Sequence, residues 1–235
     1  MSSRTAQDAK TLARRYYTGQ DVYDAETRNV FFERWIYAGR ASAVSDPGSY
    51  FLCEIESESV IVLKDSDGKL RAHHNVCRHR GTRLLTEPQG QLPKSIQCPY
   101  HAWTYALDGT LIGAPFMDEV ESFCSDDYPL KSVAVAVWEG CVFICLALEP
   151  EPFEQAFATL IGKFGSWTMR ELEIAHSISY DVPANWKLIF QNYSECYHCP
   201  SLHPVLNKLT PFRNSSNNLE EGPFLGGPMR MSIDG

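Results

Sequence analysis

The chain has 235 residues, 44% of them hydrophobic, and a formal net charge of −8 at pH 7. This length suffices for one large or two small domains, and the acidic balance excludes an extended basic surface for nucleic acid. The longest apolar stretches have the length of a strand and the N-terminus has no apolar leader, so we expect a cytoplasmic protein that binds no membrane.

Two helical segments are predicted at the start of the chain, over residues 6–17 and 25–35. Apolar and aromatic residues recur there at one-turn spacing, which is the pattern of an amphipathic helix. Residues 1–45 are therefore expected to form an N-terminal helical segment without a cofactor.

From residue 50 to residue 148 the pattern changes to short apolar runs separated by turns. Asp67-Gly68 and Asp108-Gly109 each lie between two such runs, and an Asp-Gly pair in this setting is a strong hairpin signal. We therefore predict an all-β domain over residues 46–149.

Two cysteines and two histidines occur in two short phrases of this β domain, Cys77-Arg78-His79 and Cys98-Pro99-Tyr100-His101. This ligand set is typical of a Rieske [2Fe–2S] cluster, in which two histidines replace two cysteines on one iron. The same four residues could also form a zinc shell or serve only structural roles. Zinc is less favoured because zinc sites space their first pair by two to four residues, whereas one residue separates Cys77 from His79.

A linker of two prolines and two acids at 149–152 ends the β domain. After it we predict a helix over 153–164, a strand-like run over 174–182 and a second helix that begins near Asn185. Residues 150–235 are thus assigned to a second domain.

The second helix carries Asn192, Glu195 and His198 at three-residue steps, so these side chains are predicted to share one helix face. Pro200 and Pro204 are expected to end this helix, so that His203 returns toward His198. Two imidazoles with open positions suit a non-haem Fe(II) site, provided that a carboxylate completes the set. Cys196 and Cys199 are predicted to point away from this face as core residues.

The flanks of these motifs carry a resemblance to a known family. Residues 77–82 and 98–103 resemble the Rieske loops of ring-hydroxylating oxygenase α subunits. Respiratory Rieske proteins have an additional cysteine in each loop, where this chain has Thr82 and Tyr100. The run from Asn192 to His203 resembles the mononuclear-iron motif of the same oxygenases.

The resemblance implies an α+β protein, in which an all-β Rieske domain precedes the N-terminal part of an α+β catalytic domain of the helix-grip type. It implies a cluster on Cys77, His79, Cys98 and His101 and a mononuclear Fe(II) on two histidines. It also implies a homotrimer that takes electrons from an NAD(P)H-dependent flavin or ferredoxin reductase. The roles in the second site are iron ligand for His198 and His203, bridging acid for Glu195, and support of the ligands for Asn192.

The chain departs from the family motif in two respects. Glu195 stands where the family usually has Asp, as it does in members that oxidise quaternary amines. The third iron ligand of the family is an Asp further downstream. Glu220, Glu221 and Asp234 are expected to be solvated, so the sequence predicts a C-terminally incomplete chain whose third ligand lies beyond Gly235.

The leading hypothesis is an oxygenase that hydroxylates a small substrate with O2 and electrons from a reductase, with N-demethylation of a quaternary amine as one reaction. Two alternatives stay open. One is an aromatic-ring dioxygenase, and the other is a pure Rieske electron carrier without a second iron. Iron content after reconstitution distinguishes the carrier from the two oxygenases.

Overall fold

The computed structural model describes residues 11–214 and divides into two compact units. The first, here called the β unit, comprises Ala25–Ala158 and Gly162–Ala175. The second, here called the helical unit, is described over residues 11–24, 159–161 and 176–214. The β unit thus begins earlier than residue 46 and continues past the linker at 149–152.

Three antiparallel sheets make up the β unit. The strands are β1 Ile36–Arg40, β2 Ser49–Ile55, β3 Glu58–Lys64, β4 Leu70–His74, β5 Gln89–Gln91, β6 Ser95–Gln97, β7 Thr104–Ala106, β8 Leu111–Gly113, β9 Ala134–Trp138 and β10 Cys141–Cys145. Their spatial orders in the three sheets are β1-β10-β9, β4-β3-β2-β5 and β6-β7-β8.

Strand β3 lies between two hydrophobic cores and contributes to both. Ile61 and Leu63 pack into the core that contains the two motif cysteines, and Val60 and Val62 pack into the other. All four side chains are fully buried. Successive residues of a strand point to opposite faces, so an unbroken apolar run is what a strand with two buried faces requires.

Both predicted Asp-Gly hairpins are present, between β3 and β4 and between β7 and β8. Gly68 and Gly109 have φ values of +77° and +95°, a backbone conformation that glycine adopts without steric cost. A Cβ atom on Gly109 would lie 2.7 Å from Cε1 of His73, so the second turn also needs glycine for space. This contact packs the β7–β8 turn against strand β4.

His73 on β4 is buried and connects two sheets. Its Nε2 hydrogen-bonds to the carbonyl oxygen of Leu107 at 3.2 Å, whereas its Nδ1 is buried and has no hydrogen-bond partner. Burial, above all, lowers the pKa of His73 from its ordinary value of 6.5. The imidazole is therefore held neutral in the folded protein.

We expect His73 to make the protein less stable as the pH falls. The unfolded chain takes up a proton on His73 near pH 6.5, while the folded protein resists it until the pH reaches its lowered pKa. The contribution to unfolding free energy is thus constant above about pH 6.5 and falls below it by at most about 1.4 kcal/mol per pH unit. Urea unfolding of the wild type and of His73→Gln at about pH 7.5 and 5.5 measures how the unfolding free energy of each protein changes with pH. An equal change in the two proteins would contradict this role of His73.

Six short α-helices lie within residues 11–214. They are α1 Arg15–Thr18, α2 Gln20–Glu26, α3 Phe153–Ala156, α4 Trp186–Tyr193, α5 Cys199–Leu202 and α6 Pro204–Leu209. A π-helical stretch, Thr27–Phe31, follows α2. Within the described range, no helix combines the length and hydropathy that a membrane span requires.

Several predicted elements differ from the observed ones. The helix predicted over 6–17 is seen only from residue 15, with residues 6–10 outside the described range. The helix predicted over 25–35 ends with the π-helical stretch at Phe31, and the one predicted over 153–164 ends at Ala156. The strand predicted over 174–182 is absent, and its apolar side chains Ile174, Ile178 and Val182 are exposed. An apolar run becomes a strand only where a neighbouring strand satisfies its backbone groups.

The segment from 162 to 175 is attached to the β unit through Arg40 at the end of β1. Its guanidinium donates hydrogen bonds to the carbonyl oxygens of Met169 and Leu172, both at 2.9 Å. It also donates to the carbonyl of Glu139 in the β9–β10 turn at 3.1 Å. These bonds explain why the β unit continues beyond the proline-rich linker.

Candidate metal centres

The first cysteine loop is a tight backbone turn that begins at Cys77. The N–H of Cys77 donates to the carbonyl of Thr82 at 2.8 Å, and the N–H of Gly81 donates to the carbonyl of Cys77 at 3.0 Å. Gly81 has a φ of +73°. The turn carries His79 two residues after the cysteine.

The second loop repeats this backbone pattern with the same spacing. The N–H of Cys98 donates to the carbonyl of Trp103 at 2.8 Å, and that of Ala102 donates to the carbonyl of Cys98 at 3.1 Å. Ala102, like the glycine of the first loop, has a positive φ, +57°. The two loops are therefore equivalent scaffolds, although His101 follows its cysteine by three residues instead of two.

The four candidate ligands of the two loops are divided between the interior and the surface. Cys77 and Cys98 are 2% and 3% exposed, whereas His79 is exposed and His101 is half-buried. The imidazole rings lie 4.8 Å apart between centroids, and His79 stacks on the indole of Trp103 at 4.8 Å. Each loop thus contributes one buried thiol and one imidazole nearer to the surface. Together the loops offer two sulfur ligands toward the interior and two ring-nitrogen ligands toward the surface.

This donor set fits a [2Fe–2S] cluster with two cysteines on one iron and two histidines on the other. Within residues 11–214, no group of three or more His, Cys, Asp and Glu side chains surrounds one metal position. A cluster of this type does not require such a group, because each iron takes two protein ligands. A structural zinc site, in contrast, places four ligands around one ion.

Tyr105 on β7 contacts the first loop from within the core. Its hydroxyl is 3.3 Å from Sγ of Cys77 and accepts a hydrogen bond from the N–H of Arg78 at 3.0 Å. Burial and then the hydrogen bond with Cys77 raise the pKa of Tyr105, with a further contribution from the charge of Cys98. The hydroxyl of Tyr105 therefore stays protonated and can donate to the sulfur of Cys77.

Asn75 holds the far end of the first loop and was not identified from the sequence. Its Oδ1 accepts the N–H groups of Leu84 and Leu85 at 3.1 and 2.8 Å, and its Nδ2 donates to the carbonyl of Leu85 at 2.7 Å. Nδ2 also donates to Oγ of Ser59 at 3.1 Å. Asn75 is fully buried and makes four hydrogen bonds, so it fixes both ends of the loop that carries Cys77 and His79.

Replacing Asn75 by leucine should lower the free energy of unfolding by roughly 3–5 kcal/mol, because the substitution removes all four side-chain hydrogen bonds and leaves the backbone N–H of Leu85 unpaired. Ser59→Ala is the matched control, since it removes only one of the four bonds, together with the bond from its own hydroxyl to Glu54, and should cost about 1–2 kcal/mol. Chemical denaturation of the three proteins measures both effects. Similar losses for the two variants would show that Asn75 does not hold the loop.

The second candidate site lies in the helical unit. The rings of His198 and His203 lie 5.3 Å apart between centroids. Nδ1 of His198 hydrogen-bonds to Oε1 of Glu195, whose Oε2 accepts the backbone N–H of Tyr197. The hydrogen bond with His198 is the main reason that the pKa of Glu195 is lowered. Glu195 is thus held ionised, and its bond to Nδ1 would leave Nε2 of His198 as the nitrogen for a metal.

The shared helix face predicted for this site is wrong. Helix α4 ends at Tyr193, so Glu195 and His198 lie in the turn that follows it, and Asn192 is exposed in the last turn of α4. Pro200 and Pro204 do not end a helix. They occupy the first turns of α5 and α6, where a proline lacks no hydrogen bond that the helix would need.

Hydrogen bonds to Tyr17 hold helix α4 at its start and again near its end. The side chain of Asn185 accepts the N–H of Lys187, which is the N-cap bond, and donates to the carbonyl of Tyr17 at 3.2 Å. The hydroxyl of Tyr17 and the side-chain amide of Gln191 also hydrogen-bond, at 3.0 Å for the donation from the amide. The three residues considered for the third ligand, Glu220, Glu221 and Asp234, lie outside the described residues.

Comparison with known proteins matches both parts of the chain. Residues 34–124 match the Rieske [2Fe-2S] domain family, and residues 169–233 match the catalytic domain of the ring-hydroxylating alpha subunit family. The chain therefore belongs to the Rieske-type ring-hydroxylating oxygenases. The two matched domains imply a [2Fe–2S] cluster and a mononuclear iron, as the two motifs predict.

The relatives described next belong to the quaternary-amine branch of this family. The oxygenase subunit of glycine betaine monooxygenase from Chromohalobacter salexigens is 35% identical over 215 residues, which are 91% of this chain and 48% of that protein. The oxygenase subunit of carnitine monooxygenase from Escherichia coli (strain K12) is 37% identical over 200 residues, 84% of this chain and 53% of that protein. The chain spans about half the length of these relatives.

A solved structure agrees with this assignment. A quaternary ammonium Rieske monooxygenase in complex with its substrate gamma-butyrobetaine has a TM-score of 0.82 and 31% identity. The match covers 89% of this chain and 59% of that one. The expected fold class, a Rieske domain followed by part of an oxygenase catalytic domain, is confirmed.

Proposed function

We propose that this chain is the electron-accepting and iron-binding part of an oxygenase that hydroxylates a small quaternary amine. The observation that carries the proposal is the coexistence of two sites in one chain, the paired cysteine-histidine loops and the Glu195–His198–His203 group. The names of the relatives, which refer to glycine betaine and carnitine, support a quaternary amine as substrate.

The four loop residues would hold the cluster, with Cys77 and Cys98 on the buried iron and His79 and His101 on the outer one. When bound, the cluster supplies single electrons, and the mononuclear iron supplies the position at which O2 is activated. The exposed His79 and the half-buried His101 would be the ligands nearest to the surface, and the buried thiols of Cys77 and Cys98 would be shielded from water.

Glu195 would act as a positioning residue for the iron. Its carboxylate fixes the orientation and the tautomer of His198, since a ligand histidine that donates Nδ1–H to a carboxylate presents Nε2 to the metal. The same carboxylate is the bridging acid that the motif predicts between this site and a Rieske histidine of a neighbouring subunit. His203 would be the second ligand.

We further propose an NAD(P)H-dependent flavin or ferredoxin reductase as the electron donor, O2 as co-substrate and a homotrimer as the assembly. A cytoplasmic location is also proposed. It is supported by the eight cysteines, all of them free thiols in this structure, which is typical of a reducing compartment.

Product analysis tests the proposed reaction. Hydroxylation of a carbon bonded to a quaternary nitrogen gives a carbinolamine that collapses to an aldehyde and a tertiary amine. The protein is incubated with a reductase, NADH and O2, and with glycine betaine, carnitine or an aromatic acid in turn. The proposal predicts that a quaternary amine substrate yields an aldehyde and a tertiary amine in equal amounts. A hydroxylated ring, with no amine product, would instead support the aromatic-ring alternative.

Iron analysis tests the electron-carrier alternative. The proposal requires an iron bound in addition to the two of the cluster and lost in a His198→Ala, His203→Ala double variant. An iron content that this double substitution leaves unchanged would contradict the mononuclear site and favour a pure electron carrier.

A further inference from the structure

Two cysteines enclose His198 in the turn after helix α4. The N–H of Cys199 donates to the carbonyl of Cys196 at 3.0 Å and closes the turn. Cys199 is 5% exposed and Cys196 is half-buried, and both are free.

The backbone of this turn suits a disulfide. A four-residue turn brings its first and last Cα atoms within about 7 Å, and disulfides span Cα separations of about 4.4–6.8 Å. The backbone hydrogen bond between Cys196 and Cys199 therefore sets these two residues at a separation that a disulfide can span. The prediction that both cysteines are core residues facing away from Glu195 depends on a helix that is not present at this point.

We propose that Cys196 and Cys199 are a reversible dithiol–disulfide pair that fixes the turn carrying Glu195 and His198. The disulfide-forming site itself is independent of the proposed function. Only its effect on iron rests on that function, because the iron-binding role of His198 is part of it.

The oxidant is a low-molecular-weight disulfide, and the reaction is thiol–disulfide exchange. The sulfur of Cys196, the more accessible of the two, attacks one sulfur of the small disulfide and releases its first half as a thiol. The sulfur of Cys199 then attacks the mixed disulfide at Cys196 and releases the second half. Two electrons pass from the cysteines to the small disulfide, and the two thiol protons leave with the two released thiols.

The disulfide should restrain the proposed iron site because the segment that it encloses is short. Only Tyr197 and His198 lie between the two cysteines, and Glu195 precedes the first one directly. The Tyr197 N–H and the His198 ring both bind the Glu195 carboxylate, so a covalent bond across the turn restrains the partners of that carboxylate. Oxidation would therefore change how His198 is held toward a metal.

Mass spectrometry of the whole chain tests the disulfide. The protein is equilibrated with mixtures of oxidised and reduced glutathione, alkylated and cleaved with trypsin, which releases both cysteines in one peptide, residues 188–208. The proposal predicts an unalkylated peptide whose mass is lower by two hydrogen atoms than that of the unmodified dithiol peptide. The dithiol-to-disulfide ratio should change tenfold for each ~30 mV of redox potential, as for a two-electron couple.

Three samples control this measurement. Cys196→Ser and Cys199→Ser should each abolish the lighter peptide, and the exposed Cys124 of the wild type should give at most a mixed disulfide that forms no internal bond. Complete alkylation of both Cys196 and Cys199 in a large excess of oxidised glutathione would overturn the proposal. A mixed disulfide that persists at Cys196 would overturn it as well.

Iron retention tests the effect on the site. Loss of iron to a chelator is followed separately from the absorption of the cluster, in the oxidised and the reduced protein. We expect the rate of loss to change several-fold on oxidation in the wild type and to stay the same in Cys199→Ser. A disulfide that forms without changing this rate would overturn the effect on His198. If neither form holds chelatable iron, the proposed function fails and the effect on iron fails with it, whereas the mass measurement still decides the disulfide itself.

Discussion

Changing both loop histidines to cysteine, His79→Cys with His101→Cys, should lower the reduction potential of the cluster by at least about 250 mV. Rieske clusters span roughly −150 to +300 mV, whereas plant-type clusters with four cysteine ligands lie near −400 mV. Two thiolates in place of two neutral imidazoles add negative charge, which stabilises the oxidised cluster. Spectroelectrochemical titration of the purified protein measures the shift.

The same double variant should also lose the pH dependence of the potential. The ligand histidines of an oxidised Rieske cluster become more acidic, so the wild-type potential should fall as the pH rises through their titration. With four cysteines no such titration remains. His176→Cys is the control, because it adds a thiol at an exposed position of the helical unit. A double variant that keeps the wild-type potential would show that His79 and His101 are not ligands.

Replacing Glu195 by glutamine should slow substrate oxidation by roughly 10–100-fold, the usual effect of removing an outer partner of a metal-bound histidine. The amide of glutamine is neutral and can offer either an oxygen or an NH2 group to Nδ1 of His198. It therefore no longer enforces one tautomer or orientation of the ring. The loss should appear in kcat, because Glu195 is expected to contact the iron ligand and not the substrate.

Two further measurements separate this role from a purely structural one. Reduction of the cluster by the reductase should proceed at the wild-type rate in Glu195→Gln, since the cluster loops belong to the other compact unit. Glu195→Asp is the conservative variant and should recover much of the lost rate, because it restores the carboxylate. Equal rates for the Gln and Asp variants, or a slow cluster reduction in Glu195→Gln, would contradict the positioning role.

The parts of the fold that were predictable from the sequence are those set by local chemistry. The Asp-Gly pairs determine the turns at Gly68 and Gly109, where a positive φ is needed. The apolar run from 60 to 63 indicates a strand, although its burial on both faces follows only from the two cores on either side of it. The cysteine-histidine spacing likewise identifies the two loops.

The parts that were not predictable depend on distant partners. The apolar run over 174–182 has strand composition but no neighbouring strand, and residues 195–198 leave the helix although their spacing fits one. Asn75 looks like an ordinary polar residue in the sequence, since its four partners come from residues 59, 84 and 85. Tyr105 reaches Cys77 only because the sheet and the loop meet in one core.

The most direct test of the central claim is the count of histidine nitrogens at the reduced cluster. Pulsed EPR of protein labelled with ¹⁵N-histidine detects nitrogens bound to the paramagnetic cluster by their hyperfine coupling. The account predicts two coupled histidine nitrogens in the wild type and one in each of His79→Cys and His101→Cys. A reduced cluster without histidine coupling, or with unchanged coupling in either single variant, would contradict it.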